Sequence, residues 1–193
     1  MSSACYRIAW GILLVLINVK VGGLDLLPDP LGYLLAASGL WTLSVRSRFF
    51  RAGGAAALML LIGSIARMIF GEPETGFLND LPPTVFELSV QLLDMLLHTI
   101  LIYGICKGIE SSFKGVNPSN IAGRSRVCLW WYMAVQGLWL ASYPFTLNVD
   151  QDIIGFWLFI LTIAVMISQV AVLLMLRAAG RSWREMEEGI TTR

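Results

Sequence analysis

Residues 21–40 read VGGLDLLPDPLGYLLAASGL and set two aspartates and two prolines between apolar runs of a very apolar chain. Asp29 followed by Pro30 has the form of a helix N-cap and first helical position. The carboxylate accepts a hydrogen bond from an orphan backbone N–H, and proline lacks a donor that would otherwise go unsatisfied. A helix is therefore expected to start here. Gly32, Ala36 and Gly39 recur at helical spacing beyond it and leave a smooth face on which a neighbouring helix can approach closely. Gly22 and Gly23 are expected to end the preceding helix, so Val21 to Pro30 reads as an outer hairpin loop with Asp25 and Asp29 as turn and cap residues. The alternative folds the loop back between short helices, where Asp25, Asp29 and the half-helix ends would hold a cation or a substrate amine.

Composition sets the class of fold around that hairpin. Hydrophobic residues make up 56% of the 193 and charged residues 14%, with a mean hydropathy of +0.71. An ordinary soluble domain carries about 25% charged residues, so the chain reads as a polytopic integral membrane protein. Apolar runs cover residues 6–19, 31–45, 53–70, 85–106, 127–149 and 153–176. They predict an all-α bundle of six transmembrane helices forming a single domain over residues 1–193, with a short cytoplasmic tail at 177–193. At 1.5 Å per residue the last four can cross about 30 Å of hydrocarbon alone. The first two are short and need snorkelling Arg7, Lys20 and Arg46, local thinning, or burial against longer helices. No small-x-small cleavage site follows the first run, so it is expected to be retained.

Loop charge predicts the threading. Arg7, the Arg46, Arg48 and Arg51 cluster, the Lys107, Lys114, Arg124 and Arg126 loop, and the arginines of the tail alternate with loops carrying Asp25 and Asp29, then Glu72, Glu74 and Asp80, then Asp150 and Asp152. Basic loops stay in the cytoplasm, which puts both termini inside (N-in, C-in). Trp10, Trp41, Trp130, Trp131 and Trp183 then fall near the inner surface, and Trp139, Tyr143 and Trp157 near the outer one. Cys5, Cys106 and Cys128 all lie at inner helix ends, a reducing location, and no C-x-x-C pair exists, so neither a disulfide nor a structural zinc is expected. The tail, with Glu185, Glu187 and Glu188 following its arginines around Trp183, reads as a solvated terminus, the alternative being a short interfacial helix.

The string LDLLPDPLGYLL resembles a motif of small, uncharacterised multi-spanning membrane proteins of Gram-positive bacteria, in which a D-x-L-P-D-x-x-G-Y pattern follows the first helix. Asp25, Leu27, Pro28, Asp29, Gly32 and Tyr33 carry the resemblance, which covers about 40 N-terminal residues. It implies a bacterial cytoplasmic membrane and no particular mechanism.

The fourth run, VFELSVQLLDMLLHTILIYGIC, carries the chemistry. Glu87, Gln91, Asp94 and His98 are spaced by four, three and four residues and share one helical stripe, while the other faces are Leu, Met and Ile. Ionisable side chains at membrane depth are costly and raise a functional hypothesis by default. Arg67 on the third helix is the expected partner of Glu87, each about one turn from the outer end of its helix. Asp94 is left with no cation but His98. Tyr132, Gln136, Ser168 and Gln169 on the last two helices are within range of a shared interior.

Three readings compete for the stripe. It is structural, fixing the register of the bundle; or Asp94, His98, Glu87 and Gln91 form a path for protons or a small ion; or Asp94 and His98, at the i, i+4 spacing of metal ligands, bind a divalent ion. A His-rich centre is excluded because the chain has one histidine. Enzyme signatures are missing: the chain has no G-x-S-x-G elbow, P-loop, H-E-x-x-H or dinucleotide fingerprint. The stretch ESSFKGVNPSNIAGRSR reads as a flexible polar connector without a phosphate cradle. The site set therefore holds no catalytic residue, no metal and no cofactor. Translocation of protons, small ions or small solutes is the named activity. The alternative is a non-transporting membrane partner such as a sensor, immunity or assembly factor. The bilayer, another membrane protein or a second copy of the chain are the expected partners, with no nucleic acid.

Overall fold

A computed structural model describes residues 2–17, 20–21, 24–25, 29–70, 85–114, 121–142 and 151–191, with backbone only at 20–21, 24–25, 85, 87, 151–154 and 189–191. Among the described residues the chain forms six helices: α1 (Ser2–Leu16), α2 (Asp29–Leu43), α3 (Arg48–Phe70), α4 (Val85–Ser112), α5 (Ile121–Ser142) and α6 (Gln151–Thr191). A small ribbon, β1 (Lys20–Val21) and β2 (Leu24–Asp25), lies between the first two. Three helices are long and apolar enough to cross a membrane, over Arg48–Phe70, Leu88–Ser112 and Gly155–Glu188.

Each helix packs on the next in sequence, and α6 returns to α1, so the bundle is a closed ring. Small residues set the closest approaches. A Cβ on Gly32 would lie 2.8 Å from the Gly11 carbonyl oxygen, and one on Gly39 would lie 2.7 Å from that of Ala4. The Gly32, Ala36 and Gly39 face is thus the surface on which α1 lies, as its spacing implied. Between α3 and α4, a Cβ on Gly104 would come within 2.7 Å of the Gly53 backbone. Phe50 fills the space beside Gly108.

The core sits toward the end of the ring that holds the N-terminus. Cys5, Ile8, Leu40, Leu43, Phe50, Ile105, Ile109, Leu176 and Ala179 belong to one buried cluster. The exterior is apolar: Ile62, Met68, Phe70, Phe86, Leu96, Phe159 and Ile167 are all exposed. Scattered exposed apolar residues are ordinary, but this many large apolar side chains on the outside fit a hydrocarbon environment. Trp10, Trp41, Trp130 and Trp131 are exposed as well.

Several boundaries differ from the hydropathy runs. The helix predicted at 6–19 ends at Leu16; that at 85–106 continues to Ser112; that at 127–149 begins at Ile121 and ends at Ser142. Arg, Lys and Glu are good helix formers, so the backbone helix continues past the charges at which an apolar run stops. The two ends of the supposed connector are accordingly helical, Ser111 and Ser112 in α4 and Ile121 to Arg126 in α5. The tail at 177–193 is corrected most: α6 runs unbroken through it to Thr191. Trp183 is buried with its ring 4.9 Å from Phe113, and the Arg184 guanidinium lies 5.7 Å from the Tyr6 ring centroid. Gly180 lets α6 seat against Cys5 and Tyr6 of α1.

The helix start predicted at Asp29 and Pro30 is observed. Gly22 and Gly23, expected to end the preceding helix, lie outside the described residues. Lys20 pairs with Asp25 and Val21 with Leu24 in an antiparallel ribbon. The Asp25 side chain and the acidic loops at 71–84 and 143–150 lie outside the described residues.

Candidate functional site

Helix α4 brings its polar stripe to the inside of the ring from Asp94 onward. Asp94 and His98 are partly buried, whereas Gln91 is exposed; the Glu87 side chain lies outside the described residues, and with it the predicted contact to Arg67. Arg67 donates from Nη1 to Asp94 Oδ1 at 3.0 Å. Asp94 therefore has a full cationic partner, which the sequence reading denied it.

Geometry explains this pairing. Counted from the Gly53 and Gly104 contact at 1.5 Å per residue, the Arg67 Cα lies about 21 Å along α3 and the Asp94 Cα about 15 Å along α4, with the Glu87 Cα near 26 Å. Side chains on a helix tilt toward its N-terminus. The two helices are antiparallel, so Arg67 leans back toward the core end and Asp94 leans the opposite way, and the two close the gap between them. Matching depth along the helices made Glu87 the natural partner, but depth alone ignores that tilt.

His98 continues the polar layer one turn further in. Its Nε2 lies 3.2 Å from Gln169 Nε2 of α6, and its ring stands edge-on to Tyr33 of α2 at 6.4 Å between centroids. With the amide donating, the imidazole nitrogen is the acceptor. Tyr33 is buried, and its hydroxyl lies within electrostatic reach of Asp94, Asp29, Arg67 and Tyr132. On α5, the buried Tyr132 hydroxyl accepts from Gln136 Nε2 at 2.7 Å, and on α4 Thr99 donates to the Met95 carbonyl of its own helix at 2.8 Å. Ser168 turns its hydroxyl to the Ala164 carbonyl of its own helix at 2.7 Å. The layer thus draws on α2, α3, α4, α5 and α6.

Chemically, the arrangement offers one acid held by one fixed cation, then imidazole, amide and hydroxyl groups that can accept and donate hydrogen bonds. A divalent ion at Asp94 would share its carboxylate with the Arg67 guanidinium, whose charge opposes it. Among the described residues no group of three His, Cys, Asp or Glu side chains converges as metal ligands would.

The sequence reading missed a second charged centre. Glu110 is buried; its Oε1 accepts from Arg126 Nε at 3.0 Å and Nη2 at 2.7 Å, and its Oε2 accepts from Lys107 at 2.8 Å. These charge-assisted bonds, two from Arg126 to one oxygen and one from Lys107 to the other, tie α4 to α5 near the core end. Its trace in the sequence is Lys107 one turn before Glu110, masked by assigning Glu110 to a loop. Nearby, Ser125 donates to the Cys106 carbonyl at 2.7 Å. Cys5 and Cys106 are buried free thiols.

Comparisons with models of protein families, with curated proteins and with solved structures give no match.

Proposed function

We propose that the chain is a six-span integral membrane protein of a bacterial cell membrane, with both termini cytoplasmic, whose interior polar layer passes protons or a small ion. The resemblance around Asp25 to Tyr33 supports the bacterial setting, and the alternation of basic and acidic loops supports the threading. The 15 residues of each of α1 and α2 span only about 22 Å, so these helices cross where the longer helices beside them carry the bilayer thickness. A reporter fused after Arg193 is expected to be active in its cytoplasmic form; an extracytoplasmic signal would overturn the threading.

One observation carries the translocation reading: the ionisable Arg67 and Asp94 pair stands one turn from a histidine hydrogen-bonded across to α6. A proton delivered to Asp94 neutralises the carboxylate and loosens its hold on Arg67. His98 with Gln169, and Tyr132 with Gln136, then offer further groups that can take up and pass on a proton within the ring. In proteoliposomes with imposed proton, sodium and potassium gradients, the native protein is expected to show flux, and Asp94→Asn to reduce it by about a hundredfold or more, the scale for losing a proton-transfer group. His98→Gln is expected to do the same to proton flux.

The second reading is a non-transporting membrane partner. It is favoured by the fact that Arg67 with Asp94, and His98 with Gln169, satisfy each other. Absence of flux from well-folded native protein would select it.

A further inference from the structure

A groove of about 510 Å3 runs between α5 and α6, and its wall is apolar: Val127, Ala171, Leu174 and Met175. At its core end Arg124 and Ala178 also line a second recess of about 240 Å3, whose other walls include Arg181, Ser182 and Glu185. The two spaces share those residues and are continuous. Arg124 and Arg181 are both exposed, as is Leu174. Along the groove the surface thus changes from two guanidinium groups with a hydroxyl to bare hydrocarbon within a few helical turns. Arg124 also sits in the first turn of α5, where the positive end of the helix dipole adds to its charge.

We infer that this groove is a binding site for one anionic phospholipid, with the phosphate between Arg124 and Arg181 and an acyl chain along Val127, Ala171 and Leu174. Charge complementarity decides the occupant. Arg124 and Arg181 outnumber Glu185 in the recess, so a neutral transmembrane helix would leave it net positive, whereas an amphiphile with an anionic head matches the polarity of the groove from end to end. Glu185 lines the far side of the recess and disfavours a dianionic head, so a singly charged phosphodiester such as phosphatidylglycerol fits best. The inference rests on the membrane reading and on the cytoplasmic placement of α5's first turn, since anionic lipid of the inner leaflet meets the groove there.

The test is native mass spectrometry of the full chain released from nanodiscs containing phosphatidylglycerol and phosphatidylcholine in equal amounts. The native protein is expected to retain one phosphatidylglycerol with about thirtyfold preference, the scale of two basic residues at about 1 kcal/mol each near an anionic head group. Arg124→Gln combined with Arg181→Gln should remove the preference, and Arg124→Lys combined with Arg181→Lys should keep most of it. Leu174→Trp, which fills the groove and leaves both charges, should reduce retention of either lipid. An unchanged preference in the glutamine variant, or equal retention of both lipids by the native protein, would overturn the site. A retained second copy of the chain at this face in place of lipid would overturn it too. Extraction of the chain from native membranes by alkaline carbonate reports separately on the membrane reading: a chain that stays in the pellet but shows no lipid preference refutes the groove alone.

Discussion

Gly104→Val is expected to prevent α3 and α4 from docking. The added Cβ alone would stand 2.7 Å from the Gly53 Cα and N and 2.8 Å from the Phe49 carbonyl oxygen, all of them backbone atoms that no side-chain rotation can move. Overpacking at side chains costs about 1–3 kcal/mol, and a clash with backbone belongs at or above the top of that range. Since α3 and α4 are both members of the closed ring, their separation also strains the contacts on either side. The measurement is thermal unfolding in detergent, followed by reaction of a thiol-specific dye with the buried Cys5 and Cys106. For a chain of this size about 3 kcal/mol corresponds to a fall of roughly 6–12 °C in Tm. Gly63→Ala is the control, because a Cβ there meets nothing within 4 Å. It should leave Tm unchanged or raise it, alanine being favoured over glycine in a helix by about 0.5–1 kcal/mol. Equal melting of the two variants would refute the α3 and α4 contact.

Separating Arg67 from Asp94 is the second large effect. Arg67→Ala leaves a carboxylate, and Asp94→Ala a guanidinium, without its partner inside the ring. Removing one member of a fully buried pair costs about 3–5 kcal/mol. Here the side chains retain 26% and 37% exposure, so solvent screening lowers the expected cost to about 2 kcal/mol each. The double variant should be less destabilised than the sum of the two, with a coupling of about 1–2 kcal/mol in a double-mutant cycle. A coupling below about 0.3 kcal/mol would mean that the two charges do not meet. The same variants examined for flux separate the two functional readings. A pair that only holds the helices together can be replaced by an apolar pair without loss of activity, whereas a proton-carrying Asp94 cannot.

Much of this architecture was legible from residue patterns. The N-cap and proline at Asp29 and Pro30 mark a helix start because their chemistry is local: one carboxylate, one missing donor. The smooth Gly32, Ala36 and Gly39 face was equally readable, since three small residues on one helical stripe leave little else for that face to do. Tyr33, in the resemblance motif, gained its interior role only when α2 was set beside α4. Gln91 is the opposite case, because it shares the α4 stripe with Asp94 and His98 but is exposed, and stripe membership says which residues are neighbours, not how far into the ring they reach. The family resemblance said nothing about the polar layer, which draws on residues scattered from α2 to α6.

The amino-acid sequence alone determined that this is an all-helical chain, where its apolar segments lie, where α2 begins and that α4 carries an ionisable stripe. These follow from backbone hydrogen bonding, hydrophobicity and spacing along one element. Only the tertiary structure decided that Arg67 belongs to Asp94, that Glu110 gathers Lys107 and Arg126, that the tail is a packed continuation of α6, and that His98 reaches Gln169. Each of those depends on the tilt, depth and closure of separate helices, and side chains far apart in the chain meet only when those three quantities are set together.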